Sequence, residues 1–213
     1  SYEDFKSGFS INIPDNFNFA WDIVDEIAAL IPGKKAMVWC DDNGNEAFFT
    51  FARMKYYSDK AANYFKSVGI KKGDRVMLIM KRHYMFWFCT LALNKIGAVT
   101  IPATHLLTAK DIIYRNNAAG IKMIVSVPDP IVIRHIEEAE SQSPSLKYKV
   151  LADTDKEGWL NLSKDLDDSP DLFLRPAGDE AVNNDDIMLL YFTSGTTGMP
   201  KMVTHDFTYP LGH

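Results

Sequence analysis

Apolar residues recur along this chain first at helical spacing, then in a regular exchange of helical and extended stretches. From Phe19 to Ile31 the positions Ile23, Ile27, Leu30 and Ile31 share one face. Asn18 is placed to cap that helix and Pro32-Gly33 to stop it. Ala36 to Asp41 and Glu46 to Phe51 read as a hairpin closed around Asn43-Gly44, a dipeptide suited to a tight turn. A longer amphipathic helix is predicted from about Arg53 to Val68. Tyr57, Ala61, Tyr64, Phe65 and Val68 form its apolar face, and Gly69 suits its C-terminal cap.

From Gly73 the alternation becomes strict. Arg75 to Met80 is predicted as a strand, followed by a helix from Tyr84 to Ile96 that is apolar nearly all round and therefore buried on several sides. Ala98 to Pro102 is the next strand. Thr108 and Asp111 resemble a capping box that opens a helix to about Ala118, and Gly120 ends it. Lys122 to Val127, Pro130 to Gln142 and Lys147 to Ala152 then read as strand, helix and strand. A β-α-β-α-β-α-β order argues for an α/β fold: a mostly parallel sheet flanked by helices on both faces, preceded by an N-terminal helix and β-hairpin. Residues 1–152 are thus expected to form an N-terminal α/β subdomain. Residues 153–186 are acidic, carry Pro170 and Pro176, and show little periodicity. They read either as a linker between domains or as a surface excursion with a short helix near Leu162 to Leu166. Residues 187–213 supply an apolar strand from Ile187 to Phe192, a loop and a second extended segment.

Composition narrows the function. A chain of 213 residues, 46% of them hydrophobic, can bury a sizeable core. A net charge of −5 offers no footprint for nucleic acid, and the small clusters Lys71-Lys72-Arg75 and Lys81-Arg82 read as solvated turns. Cys40 and Cys89 lie in apolar runs without CxxC spacing and are expected to be buried free thiols in a reducing compartment. The histidines are scattered, so no protein metal site is expected. The polar opening from Ser1 to Ser10 carries no signal peptide, and the most apolar run, Tyr84 to Leu93, is about half the roughly twenty residues of a membrane span. A cytoplasmic location follows as the expectation.

The segment Thr193-Ser194-Gly195-Thr196-Thr197-Gly198-Met199-Pro200-Lys201 carries the chemistry. Thr193, Ser194, Thr196 and Thr197 offer four hydroxyls. Gly195 and Gly198 let the backbone approach a ligand closely, and successive N–H groups in such a turn form an anion nest. Lys201 adds a point charge suited to phosphate. This is not a Walker A loop, in which Gly-Lys-Ser/Thr opens a helix. Here Pro200 pushes Met199 out of the α region and delivers Lys201 into an extended segment. His205 and His213 are not read as catalytic bases, because no carboxylate partner is placed beside them by sequence.

The whole string resembles the phosphate-binding signature of the adenylate-forming superfamily, which includes acyl-CoA synthetases, peptide-synthetase adenylation domains and firefly luciferase. Gly73-Asp74-Arg75-Val76 is similar to its G-D-R-V element, and Gly97-Ala98 with Pro102 to its G-A-x-x-x-P element. Lys201-Met202-Val203-Thr204-His205 and Asn16-Phe17-Asn18-Phe19-Ala20 look most like the medium-chain acyl-CoA synthetases. The resemblance implies the N-terminal portion of the adenylate-forming fold. It implies a parent enzyme that uses ATP and Mg²⁺ to convert a carboxylic acid to an acyl-adenylate and passes the acyl group to CoA. By the same resemblance Thr193 to Gly198 would wrap the β- and γ-phosphates with help from Lys201. The adenine, ribose and catalytic-lysine segments of the family match nothing here, since twelve residues follow Lys201. The chain alone is therefore expected to be inactive, and to self-associate through surface left uncovered. An adenylation domain that loads a carrier protein and a non-catalytic binding module are the alternatives.

Overall fold

A computed structural model describes residues 1–193 and 198–212. Helix α1 (Tyr2–Gly8) opens the chain and buries none of its residues. It has no counterpart in the expected elements, because it packs no apolar stripe; its one local signal is the capping box between Ser1 and Asp4. A π-helical turn, Ala20–Asp25, runs on into α2 (Glu26–Leu30). The Asn18 side chain accepts from the Ala20 N–H at 3.1 Å and donates to the Asn94 carbonyl at 2.7 Å, so the capping residue also ties this segment to a later helix. The hairpin follows as β1 (Lys35–Cys40) and β2 (Glu46–Thr50), then α3 (Phe51–Ser67), capped by the Thr50 hydroxyl.

The alternating part is β3 (Arg75–Ile79), α4 (Met85–Ile96), β4 (Val99–Pro102), α5 (Ala109–Ala119), β5 (Met123–Ser126), α6 (Pro130–Glu140) and β6 (Tyr148–Leu151). Beyond it lie β7 (Leu160–Asn161), α7 (Leu162–Asp168), β8 (Ile187–Thr193) and β9 (Lys201–Asp206). The main sheet runs β7-β6-β5-β3-β4-β8-β9. Its pairs are parallel except the last, β8 with β9.

Strand periodicity sorts the core onto the two faces of this sheet. Val76, Leu78, Met123, Val125 and Val150 point toward α3, α4 and α7. Met77, Ile79, Ile124 and Leu151 point toward α5 and α6. The hairpin shows the same alternation with one face wet: Met37 and Trp39 are half-buried, while Val38 and Cys40 are exposed. Cys89 is buried and Cys40 is not, which corrects the expectation of two buried thiols. An apolar run in a strand covered on one side hides only every second residue.

Two of the sequence elements prove to be joints of the scaffold. Gly73 and Gly97 meet at the amino ends of β3 and β4, where the Gly73 N–H donates to the Gly97 carbonyl at 2.9 Å. Gly97 closes α4 at φ 72°, and a Cβ there would sit 3.0 Å from Val182 Cγ2 and 3.1 Å from Lys72 Cγ. Only glycine satisfies both constraints without strain. Asp74 accepts from the Lys71 N–H at 2.9 Å and from Lys122 Nζ at 2.6 Å, lashing the start of β3 to the entry of β5.

Candidate phosphate-binding site

The carboxyl ends of β3, β4, β5, β6 and β8 share one edge of the sheet, the edge where open α/β folds take ligands. β8 delivers the Thr193–Lys201 segment to that edge, beside β4. Thr193 and Lys201 form the last rung of the β8–β9 ladder, so the hydroxyl- and glycine-rich segment closes an antiparallel hairpin. Ser194, Gly195, Thr196 and Thr197 lie outside the described residues, as does His213. Gly198 has φ 148°, and a Cβ there would meet open space, so backbone conformation and not crowding selects glycine. Thr193 and Lys201 are both exposed. Among the described residues, Lys201 makes no ion pair.

The stems of this loop are held from outside the hairpin. The Tyr114 hydroxyl on α5 donates to the Pro200 carbonyl at 2.8 Å, and its ring meets Phe192 edge-on with centroids 6.2 Å apart. Arg115 lays its guanidinium over the other side of the contact, 5.2 Å from the Phe192 centroid. No local pattern marks Tyr114, because its target lies 86 residues away. His205, by contrast, packs its ring 3.9 Å from Tyr209 and 5.9 Å from Tyr191.

On the same edge, an open cleft of about 660 Å³ lies between the β1–β2 turn and the carboxyl ends of β3, β4 and β5, lined by Trp39 to Asp42, Met80 to His83, Ala103 to His105 and Val127. Burial holds the His83 imidazole below its ordinary value, against the pull of Asp153. The described residues of the loop hairpin do not line this cleft. Among the described residues no group of three His, Cys, Asp or Glu is placed to hold a metal. The Thr193 hydroxyl is a single neutral oxygen donor. That donor set suits a hard cation carried in on a ligand's phosphates, keeping most of its waters, better than one caged by protein.

A second polar assembly was not foreseen. Lys95, on the apolar helix α4, is fully buried. Its Nζ reaches both oxygens of Asp25 at 2.9 Å and Asp59 Oδ1 at 2.6 Å. Lys55 pairs with the other Asp59 oxygen and lies 3.8 Å from Asp25. The Trp21 ring stands 4.7 Å from the Lys95 ammonium. Burial raises the Asp25 carboxyl above its ordinary value, with Lys95 pulling the other way. The cluster joins the π-helical turn, α3 and α4 and takes no part in the candidate site.

The fold is an α/β unit that brings the Thr193–Lys201 hairpin to the carboxyl edge of a mostly parallel sheet. The chain belongs to the AMP-binding enzyme family, whose model matches residues 24–210. It is 36% identical to the rat acyl-coenzyme A synthetase ACSM5, mitochondrial, over 94% of its own length and 35% of the relative's. It is 32% identical to human acyl-coenzyme A synthetase ACSM3, mitochondrial, over 96% of its length and 35% of the relative's. The chain thus spans about a third of these proteins. The names agree with the acyl-CoA synthetase branch read from Lys201 to His205. The inhibitor-bound N-terminal domain of FACL13 from Mycobacterium tuberculosis superposes with a TM-score of 0.75 at 26% identity, over 90% of this chain and 44% of that one. The anthranilate CoA ligase AuaEII, solved with anthranoyl-AMP, shares the fold at a TM-score of 0.82 and 22% identity, over 93% of this chain and 36% of that one.

These relatives correct one expectation. The rat and mouse ACSM5, the human ACSM3 and the mouse ACSM4 carry mitochondrial names, which points away from the cytoplasm. Free cysteines and a polar opening segment do not distinguish one reducing compartment from another. No helix among the described residues is long and apolar enough to cross a membrane.

Proposed function

We propose that this chain is the phosphate-gripping part of an AMP-forming acyl-CoA synthetase. The whole enzyme activates a carboxylic acid with ATP and Mg²⁺, releases pyrophosphate, and transfers the acyl group to CoA. Thr193, Ser194, Gly195, Thr196, Thr197 and Gly198 wrap the β- and γ-phosphates, and Lys201 neutralises charge on the departing pyrophosphate. One observation carries this reading: in a chain of the AMP-binding family, Thr193 and Lys201 close the last rung of a hairpin at the carboxyl edge of the sheet. Mg²⁺, when bound, would supply positive charge against the phosphates. The Thr193 hydroxyl is the described group suited to orient it.

The same reading makes the chain incomplete as a catalyst. ATP–pyrophosphate exchange by the isolated chain, with Mg²⁺ and a panel of carboxylic acids, is expected to stay at the blank rate, and turnover would refute that claim. Calorimetric titration with Mg·ATP tests the grip itself: binding that Lys201→Ala weakens supports it, and binding indifferent to Lys201 sinks it. Self-association belongs to the same proposal. β9 ends the sheet and exposes Met202 (46%) and Val203 (39%), an uncovered apolar edge of the kind that pairs with another chain. Sedimentation should show a concentration-dependent mass, and a monomer at every concentration would count against it.

A further inference from the structure

Tyr114 touches both stems of the phosphate loop. Its ring rests edge-on against Phe192, the residue that precedes Thr193 in the entering strand. Its hydroxyl donates to the carbonyl of Pro200, the residue that precedes Lys201 in the leaving strand. The two contacts come from one half-buried side chain on a capped helix, α5. Arg115 closes over Phe192, and its Nη1 is held by the Asp111 carbonyl at 3.1 Å, so the clamp is anchored within α5. Pro200 has no N–H, so it cannot donate to the β ladder at the point where the loop rejoins it. The Tyr114 hydrogen bond is a side-chain tether at that same residue. The backbone ladder pairs Thr193 with Lys201, and the Thr193 hydroxyl adds only a long contact to the Lys201 carbonyl at 3.5 Å.

We infer that Tyr114 is a positioning residue for the phosphate loop: it ties the Pro200 carbonyl to α5 beside Phe192 and thereby aims Lys201 at the ligand across from Thr193. This rests on the phosphate-binding reading of the loop. Tyr114 touches no ligand itself. It acts by narrowing the conformations open to Pro200 and Lys201 before a polyphosphate binds.

The test compares the unaltered chain with Tyr114→Phe, which keeps the ring on Phe192 and deletes only the hydroxyl. Mg·ATP and inorganic pyrophosphate are the probes. Affinity for both is expected to fall about three- to tenfold, the fold-change worth one neutral hydrogen bond. The ligand-free melting temperature should stay in place, and backbone hydrogen exchange should rise at Lys201 to Val203 while staying constant in β3 and β5. A purely structural tyrosine would lower the melting temperature and leave affinity at full occupancy untouched. Phe192→Leu, which thins the surface under the ring, should shift affinity in the same direction by less. Unchanged affinity in Tyr114→Phe overturns the inference, and so does a variant that loses its folded baseline. If the unaltered chain binds neither probe, the phosphate reading fails instead. Tyr114 is then judged by exchange at Lys201 to Val203 alone, which the variant should still raise.

Discussion

Lys95 and Lys201 carry the same ammonium group, and the fold gives them opposite surroundings. Lys95 has no exposure and spends its hydrogen bonds on two buried aspartates. Lys201 stands exposed at the rim of a loop and has no ion-pair partner among the described residues. The first charge is neutralised internally, so it serves to fix three helical segments against one another. The second is available to a ligand. Burial without a partner would be costly for either, and only Lys95 has its partners inside the fold; the proposed role of Lys201 requires a partner supplied by a ligand.

The largest expected effect tests the buried half. Lys95→Met leaves Asp25 and Asp59 facing each other with only Lys55 at the margin, and should lower the unfolding free energy by about 3–5 kcal/mol in urea titration. A loss under about 1 kcal/mol would mean that water reaches the carboxylates, and the contrast with Lys201 would collapse. Gly97→Ala comes next. It forces a side chain into a left-handed residue and against Val182 and Lys72, and should cost about 1–3 kcal/mol by the same measurement.

A smaller effect appears with pH. Burial pushes the Cys89 thiol, on the same helix as Lys95, up from 9.0 to about 12. The unfolded chain therefore gives up this proton first as pH rises. Stability linked to the neutral thiol is complete below pH 9.0 and declines until pH reaches about 12. The slope is at most about 1.4 kcal/mol per pH unit, and Cys89→Ala should flatten the alkaline limb of a urea-midpoint profile. An unchanged limb would show that the thiol is wetter than its packing says. Lys201→Ala should do least to stability, within about 0.5 kcal/mol, while weakening Mg·ATP binding roughly tenfold or more. A destabilised Lys201→Ala, or one that binds as before, would erase the distinction between the two lysines.

Much of this molecule was legible in the chain. The alternation from Arg75 to Ala152 named β3 to β6 and the helices between them, since period-2 and period-3.6 patterns follow from which faces must be buried. The Thr108–Asp111 capping box and the turn at Asn43-Gly44 appeared where local chemistry required them. The hydroxyls, glycines and lysine of Thr193 to Lys201 suggested a family resemblance, and the family match agrees with it. Other features were hidden because they depend on partners distant in sequence. Nothing near Asn94-Lys95 tells a buried ion cluster from a polar helix end, although a charge inside an otherwise apolar helix was the one available signal. Cys40 looked buried because a run of apolar residues does not reveal which side of a hairpin is wet.

Sequence by itself determined the order of elements from β1 to β6, the layered α/β class and the composition of the Thr193–Lys201 loop, because each follows from local sterics and the hydrophobic period. Only the tertiary structure decided that Lys95 finds Asp25 and Asp59, that Gly73 and Gly97 bond across two strand ends, and that Tyr114 spans both stems of the loop. Each of those contacts joins residues dozens of positions apart or more, or across separate elements, and no local pattern encodes them until the sheet brings its edges and helices together.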